Sequence, residues 1–337
     1  MVQTFRKLVC AALVMTFALF SIGTMSADET AQPQYPIEIN HAFGTTLIES
    51  KPERVVTIAF GNQDVALALG VVPVGFSAAN YGVQDESGLL PWTAEKLKEL
   101  GCETPNVFQD TDGLDYEAIA DSDPDVILAV YSGITEEEYK LLSEIAPVVA
   151  YPQTAWTVSW RDWIRYSALG MGIADEGERL IADIESSLSE KLAQYPEIKG
   201  KSFVWVTFRE NNLSNLHAYA PIDPRCAFLI EDLGLAYPQQ VNALIEEGKY
   251  SLSLSAENAE LLYDADFLTG YSSESAYAAA KADAVLGNIP ALKSGAVVSI
   301  ESGTPLSAAL TPTPLSILYS IDEYLAKIAE AIAQGNE

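Results

Sequence analysis

The feature that most constrains the fold is a stretch of sequence written twice. Residues 116–133 read YEAIADSDPDVILAVYSG, and residues 256–273 read AENAELLYDADFLTGYSS. Each copy predicts a short helix that begins near a glutamate, an aspartate before an apolar strand, and then a loop with an aromatic residue. The two copies lie much further apart than the repeats of a solenoid, so they predict two similar lobes.

The sequence around both copies predicts the architecture of these lobes. Short apolar strands, such as RVVTIAF at 54–60 and SFVWVTF at 202–208, alternate with helical patterns. Continuous apolar strands are typical of buried parallel sheets, and this alternation indicates Rossmann-like α/β lobes with mostly parallel sheets. At the start of the first lobe, alternating residues on either side of NHAFGT predict a β-hairpin.

The alternation stops between the two halves. Residues 175–195 place their apolar residues on one stripe at helical spacing, and a second helical pattern comes just before them without a strand between. We therefore expect an N-terminal lobe at 28–158, a helical connector at 159–199 and a C-terminal lobe at 200–337.

Residues 1–27 carry the pattern of a secretory signal peptide. Arg6 and Lys7 precede the apolar run LVCAALVMTFALF, and small residues precede Asp28. A membrane anchor is the alternative, but the apolar run is short for a bilayer span. Cys10 lies early and lacks the small residues that normally precede a lipidated cysteine. The sequence therefore predicts a periplasmic or otherwise extracytoplasmic protein without a lipid anchor.

The remaining cysteines and the charge narrow the possible classes. Cys102 and Cys226 fall in different halves, and we expect free thiols, although their pairing cannot be read from sequence. The chain has 19 Lys and Arg against 47 Asp and Glu, a net charge of −28. Such a surface repels nucleic acid and anionic lipid, so no nucleic-acid partner is expected.

Neither an enzyme nor a direct metal site is expected. The sequence contains no G-x-S-x-G, P-loop or G-x-G-x-x-G motif and no evident set of nucleophile and base. The two histidines, His41 and His217, lie in opposite halves without neighbours at the spacing of metal ligands.

Taken together, six stretches resemble the iron-siderophore substrate-binding proteins of bacterial ABC importers, a group that also includes cobalamin and haem binders. The stretches are KPERVVTIAFGNQDVALALGVVPVGF, LDYEAIADSDPDVILAVYSG, LLSEIAPVVAY, WRDWIRYSALGMGIADEGERLIADIE, LSLSAENAELLYDADFLTG and LGNIPALKSGAVVSI. The resemblance implies two lobes joined by a single long rigid helix, with a ligand cleft between them.

The resemblance also implies a function. The protein would capture a ferric siderophore and deliver it to an ABC permease dimer, as a monomer whose only iron is the chelated cargo. A haem- or cobalamin-binding protein of the same fold is the alternative, and the siderophore class stays open. In that family a glutamate on each lobe docks on permease arginines, and Glu117 and Glu257 occupy these positions. The alternative is that both merely favour the start of a helix.

Ligand contacts are expected at the carboxyl ends of the strands, where open parallel sheets bind their ligands. By this rule the candidates are Arg209, Tyr271, Tyr131, Trp156, Arg161, Tyr81 and Asn62, with Arg225 as a secondary one. Aromatic walls suit a bulky chelate, and arginine can pair with carboxylate or catecholate oxygens. The alternatives are that the arginines form structural salt bridges and that the aromatic residues belong to the core.

Overall fold

The predicted hairpin is present at the start of the described chain. The computed structural model describes residues 33–110 and 112–336, so the predicted signal peptide lies outside the described residues. Strands β1 (Ile37–His41) and β2 (Gly44–Ile48) pair in antiparallel fashion. The backbone N–H of Ala42 donates to the carbonyl of Tyr151, which attaches the hairpin to the end of the first sheet.

Five parallel strands form the first sheet, in the order β5-β4-β3-β6-β7. They are β3 (Val55–Thr57), β4 (Gly75–Ser77), β5 (Val107–Phe108), β6 (Val126–Ala129) and β7 (Val148–Ala150). The associated helices are α1 (Asn62–Ala68), α2 (Pro91–Glu99), α3 (Tyr116–Asp121) and α4 (Glu136–Ser143). The strands are almost wholly buried, which explains why they read as continuous apolar runs.

The segment between the two sheets forms two packed helices, α5 (Trp160–Gly170) and α6 (Ala174–Leu192). Helix α6 corresponds to the helix predicted at 175–195. The two helices approach closely at Gly177, where an added Cβ would lie 2.7 Å from the Cβ of Ala168.

The second sheet has the order β10-β9-β8-β11-β12. Its strands are β8 (Phe203–Thr207), β9 (Asn215–Tyr219), β10 (Ser251–Ser255), β11 (Phe267–Tyr271) and β12 (Val297–Ile300). Its helices are α7 (Pro224–Glu231), α8 (Gln239–Asn242), α9 (Glu274–Ala282), α10 (Pro290–Ser294), α11 (Pro305–Ala309) and α12 (Pro314–Gly335), with 3-10 helices at Ala256–Leu262 and Leu286–Asn288. Strands β8, β11 and β12 are parallel, and β9 and β10 are antiparallel. Two mostly parallel sheets with helices confirm the predicted α/β fold class, whereas the single long rigid helix between the lobes stays a prediction.

The correspondence between the lobes is less complete than the sequence suggests. The stretch LAYPQ at 235–239 forms only an isolated bridge, between Ser202 and Ala236. Antiparallel β9 occupies the place beside β8. Strands β9 and β10 bury only part of their residues, so they lack the continuous apolar run used to find the other strands.

The repeated aspartate has the same structural role in both lobes. Asp125, just before β6, accepts hydrogen bonds from the backbone N–H groups of Glu53 at 2.8 Å and Arg54 at 3.0 Å. Asp266, just before β11, accepts one from the N–H of Ser202 at 2.7 Å. Each carboxylate thus pairs with backbone donors where the neighbouring strand begins. This role explains why the two copies share an aspartate.

Both cysteines of the described chain, Cys102 and Cys226, are free thiols. Cys102 is half-buried and follows α2, whereas Cys226 is fully buried in α7. Burial raises the pKa of the Cys226 thiol well above its ordinary value.

The last helix joins the two lobes a second time. Helix α12 packs against β11, β12 and α10 of the second lobe and also against α1 and α2 of the first. At its N-terminus the hydroxyl of Thr313 donates to the buried carboxylate of Asp64 at 2.8 Å. The indole of Trp92 and the hydroxyl of Thr93 donate to the same carboxylate, each at 2.7 Å. The chain from Pro33 onward therefore packs as one compact unit, and the predicted domain limits stay predictions.

Asp64 gives a pH-dependent contribution to stability. Burial raises the pKa of Asp64 to about 6, although the hydrogen bonds from Thr93, Thr313 and Trp92 lower it. Because this value exceeds the ordinary 3.8, the folded state binds the proton more tightly than the unfolded state. The stabilisation is complete below about pH 4 and is lost as the pH rises through about 6.

We expect the stability of the wild type relative to Asp64→Asn to fall by about 2 kcal/mol between pH 4 and pH 7.5. The variant cannot ionise at this position, so any constant cost of the altered hydrogen bonds cancels in the comparison. Urea denaturation of both proteins across this pH range measures the difference. A difference that does not vary with pH would contradict the assignment.

Candidate ligand-binding cleft

A cleft of about 650 Å³ lies between the two lobes and is lined by residues of both. In the first lobe the lining comes from the loops that follow the parallel strands, as the strand-end rule predicts. In the second lobe it comes from the ends of β9 and β11, from α7, and from the loops after β12 and α11. A volume of this size is suited to a bulky organic ligand.

Four of the predicted residues come together on the cleft wall: Tyr81, Tyr131, Trp156 and Tyr271. The rings of Tyr131 and Trp156 lie edge to face with centroids 5.1 Å apart. The rings of Tyr81 and Tyr271, from opposite lobes, lie edge to face at 6.2 Å. The cleft therefore has aromatic surfaces on both sides.

The indole of Trp156 is held in position by the backbone around it. Trp156 has a φ of 63°, a left-handed conformation that is unusual for a bulky residue. The backbone N–H of Trp156 donates to the carbonyl of Ser132 at 3.3 Å. The ring lies directly against Gly133, where an added Cβ would be 2.4 Å from the indole Nε1. The missing side chain at Gly133 is therefore what lets the indole lie flat on this wall.

The guanidinium of Arg225 lies on the cleft wall. Its Nε and Nη2 donate to the carboxylate of Asp223 at 2.7 and 2.6 Å, and its guanidinium lies 3.8 Å from the ring centroid of Tyr219. Burial alone would lower the pKa of Arg225, but Asp223 raises it well above its ordinary value. Arg225 therefore stays protonated. Arg225 lies at the start of α7, shortly after β9. The strand-end rule would have favoured it more strongly if β9 had been predicted.

The phenols of the cleft are neutral hydrogen-bonding groups. Burial raises the pKa values of Tyr131, Tyr219 and Tyr271 above the ordinary 10. The hydroxyl of Tyr271 donates to the carbonyl of Ser307 at 3.1 Å. At neutral pH these side chains therefore offer polar contacts without charge.

Two carboxylates also line the cleft, Asp110 and Glu138. Asp110 accepts a hydrogen bond from the hydroxyl of Ser77, and burial raises the pKa of Asp110. One Oε2 atom of Glu138 accepts from both the N–H and the hydroxyl of Thr135, at 2.7 and 2.9 Å. Both carboxylates are thus held in place by the loops of the first lobe.

Asn62 was predicted as a ligand contact, but the structure places it behind the cleft wall. It is fully buried, and its Nδ2 donates to the carbonyl of Tyr131 at 2.9 Å. Its Oδ1 accepts from the N–H of Tyr131 and from the indole of Trp163. Asn62 therefore fixes the backbone of a lining residue and does not itself line the cleft.

The arginines at 161 and 209 also do not line the cleft. Arg161 pairs with Glu185 at 2.6 Å and with Asp232 at 2.7 Å, so it links α5 to α6 and to the end of α7. This is the salt-bridge alternative considered from the sequence. Arg209 is exposed just beyond β8, where the chain turns toward antiparallel β9.

Glu117 and Glu257 occupy equivalent places in the two lobes. Both side chains are exposed, and each is the second residue of the short helix that precedes β6 or β11. Side chains cap both helices: Asp115 accepts from the N–H of Ala118, and Ser255 accepts from the N–H of Glu257. The two glutamates therefore correspond in sequence and also in their position on a capped helix before a strand.

Between residues 33–110 and 112–336, no group of three or more His, Cys, Asp or Glu side chains is arranged to hold a metal ion. Among the helices of the same ranges, none combines the length and apolar character needed to span a bilayer.

Comparison with known proteins identifies the class. Residues 55–304 match the sequence model of the periplasmic binding protein family. The match covers more than half of the chain, and the protein belongs to this family. The family resemblance inferred from the sequence is thereby confirmed.

Particular relatives follow from the same comparison. The chain is similar to PiaA of Streptococcus pneumoniae TIGR4, whose crystal structure in complex with ferrichrome shares 47% sequence identity and a TM-score of 0.84, covering 88% of this chain and 99% of that one. A second crystal structure, of the iron uptake ABC transporter substrate-binding protein PiaA from the same organism, shares 46% identity and a TM-score of 0.81, covering 88% and 100%. The probable siderophore-binding lipoprotein YfiY of Bacillus subtilis (strain 168) is 26% identical over 256 residues, 75% of this chain and 73% of YfiY.

We expect Gly133→Ala to displace the indole of Trp156 from the cleft wall, because the new methyl carbon would lie only 2.4 Å from Nε1. The near-ultraviolet circular dichroism of the tryptophans should change, and Trp156→Phe assigns the affected signal. Ile134→Val, a smaller side chain at the next lining position, is the matched control and should leave the signal intact. An unchanged spectrum in Gly133→Ala would contradict the positioning role.

Proposed function

We propose that this protein captures a ferric siderophore in the cleft between its lobes and delivers it to an ABC permease. The observation that carries the proposal is the cleft itself, which has aromatic walls from both lobes and a buried arginine. It occurs in a chain that is 47% identical to a protein crystallised with ferrichrome. A bulky chelate with polar oxygens on an organic shell matches such a site.

The ligand contacts that we propose are Tyr81, Tyr131, Trp156 and Tyr271, together with Arg225. The aromatic rings would pack against the carbon shell of the chelate, and the guanidinium and phenols would contact its oxygens. Arg209 lies outside the lining and would at most contact a ligand from the rim. Asn62 and Arg161 would act indirectly, through Tyr131 and through the packing of α5.

Haem binding is the alternative, and the cleft favours it less. A tyrosine that ligates ferric haem binds as the phenolate, and burial raises the pKa values of Tyr131 and Tyr271, which opposes ionisation. Chelated iron needs no ligand from the protein, so neutral phenols serve a siderophore well. The iron would thus be cargo and not a resident cofactor.

The proposed function places the protein outside the cytoplasm. The family is that of periplasmic binding proteins, and the predicted signal peptide at 1–27 agrees with export. YfiY is a lipoprotein, whereas the residues before Cys10 in this chain do not fit a lipidation site. We propose an exported, unlipidated monomer whose partners are the chelate and the permease dimer.

We expect purified mature protein to show saturable quenching of tryptophan fluorescence by ferrichrome. Trp156 lies on the cleft wall, so Trp156→Phe should lose much of the quenching, and iron-free ferrichrome should quench less. Ferric nitrilotriacetate, a small chelate, is the control for free or loosely held iron. Saturable binding of haem or cobalamin, with no response to any ferric siderophore, would transfer the assignment to the alternative.

The docking of the permease on Glu117 and Glu257 is tested separately. The double variant Glu117→Ala with Glu257→Ala should reduce ferric-chelate uptake about tenfold or more, because paired charges orient the two proteins. Its affinity for the chelate should stay unchanged. Glu137→Ala with Glu260→Ala removes two other exposed glutamates and serves as the matched control. Normal uptake by the first double variant would refute docking at these residues.

A further inference from the structure

We propose that Asp223 sets the charge selectivity of the cleft, so that the site prefers ferric chelates without negative charge over polyanionic ones. This inference rests on the proposed function, since it concerns which ferric chelates the same cleft accepts. It assigns the selectivity to a residue that does not itself line the cleft.

Asp223 holds Arg225 in a bidentate pair. Its Oδ1 accepts from Nε of Arg225 at 2.7 Å and its Oδ2 accepts from Nη2 at 2.6 Å. The Asp223 side chain is 1% exposed and that of Arg225 is 14% exposed, so water screens the pair weakly. Oδ1 also accepts from the backbone N–H of Arg225 at 3.0 Å, which caps α7. The carboxylate is therefore fixed beside the guanidinium and cancels its charge.

The other charged groups on the cleft wall are negative, so they add no positive charge to that of Arg225. Besides Arg225, the charged residues of the described lining are the carboxylates Asp110 and Glu138. The phenols of Tyr131 and Tyr271 are neutral at physiological pH. With Asp223 included, three carboxylates stand against one guanidinium. A trianionic iron tricatecholate would meet no uncompensated cation among these residues.

The compensation of the charge on Arg225 would not weaken the binding of a neutral chelate. The iron trihydroxamates carry no net charge, yet their oxygens accept hydrogen bonds. The pair with Asp223 uses Nε and Nη2 of Arg225, which leaves Nη1 outside it. Arg225 can thus donate to a ligand oxygen while its charge stays compensated. In this arrangement Arg225 keeps its ability to donate a hydrogen bond, while Asp223 compensates its positive charge.

The test is Asp223→Asn, measured as the ratio of affinities for ferrichrome, which is neutral, and ferric enterobactin, a trianionic tricatecholate. The amide oxygen can still accept from the backbone N–H and Nε of Arg225 in place of Oδ1, so the cap of α7 is retained. The amide nitrogen cannot accept from Nη2, so the variant removes the charge together with this one hydrogen bond. We expect the ratio to shift about tenfold or more toward the tricatecholate, since one uncompensated charge then faces the ligand in a weakly screened site. The shift should shrink at high salt.

Asp322→Asn is the matched control, because it removes one carboxylate from an exposed pair with Lys191 and changes the net charge equally. It should leave the ratio unchanged. If Asp223→Asn does not fold, Asp110→Asn should give a smaller shift of the same sign. A wild type that binds both chelates equally, or variants without a shift, would overturn the inference while ferrichrome binding upholds the proposed function. Failure of the wild type to bind any ferric siderophore would instead overturn the proposed function.

Discussion

The buried contact at the start of α12 is the constraint on which the rest of the structure depends. The carboxylate of Asp64 accepts hydrogen bonds there from Trp92, Thr93 and Thr313. The first two donors belong to the first lobe, and the third caps a helix that packs on the sheet of the second. Since the carboxylate is buried, each donor would be costly to leave unpaired. The relation between the lobes, and with it the cleft, is anchored at this point.

Much of the fold could be predicted from sequence because parallel strands leave a clear record. Their burial on both faces produces apolar runs. The aspartates Asp125 and Asp266 recur because each accepts hydrogen bonds at the start of the equivalent neighbouring strand of its own lobe, β3 or β8. Four of the aromatic residues on the cleft wall, Tyr81, Tyr131, Trp156 and Tyr271, follow from the strand-end rule in the same way. Strands β9 and β10 were missed because a partly exposed antiparallel pair has no such run.

The predicted site residues that lie away from the cleft lining have the same origin. Arg209 was favoured because it ends a strand, yet the chain turns there into the antiparallel part of the sheet and leaves it exposed. Arg225 was ranked lower because the strand before it was not recognised, although its partner Asp223 is only two residues away. Sequence patterns also do not show which side chains pair with each other. Asn62 and Arg161 have side chains suited to ligand binding, but in the fold both make structural contacts instead.

The distribution of the thiols has a practical consequence. Cys226 is enclosed in α7 and its raised pKa suppresses the thiolate, while Cys102 is partly accessible on the first lobe. Removal of the signal sequence would also remove Cys10. A thiol-reactive dye would then attach at one position without any engineering of the chain. A dye attached to Cys102 would then allow the mature protein to be used as an optical sensor of iron chelates.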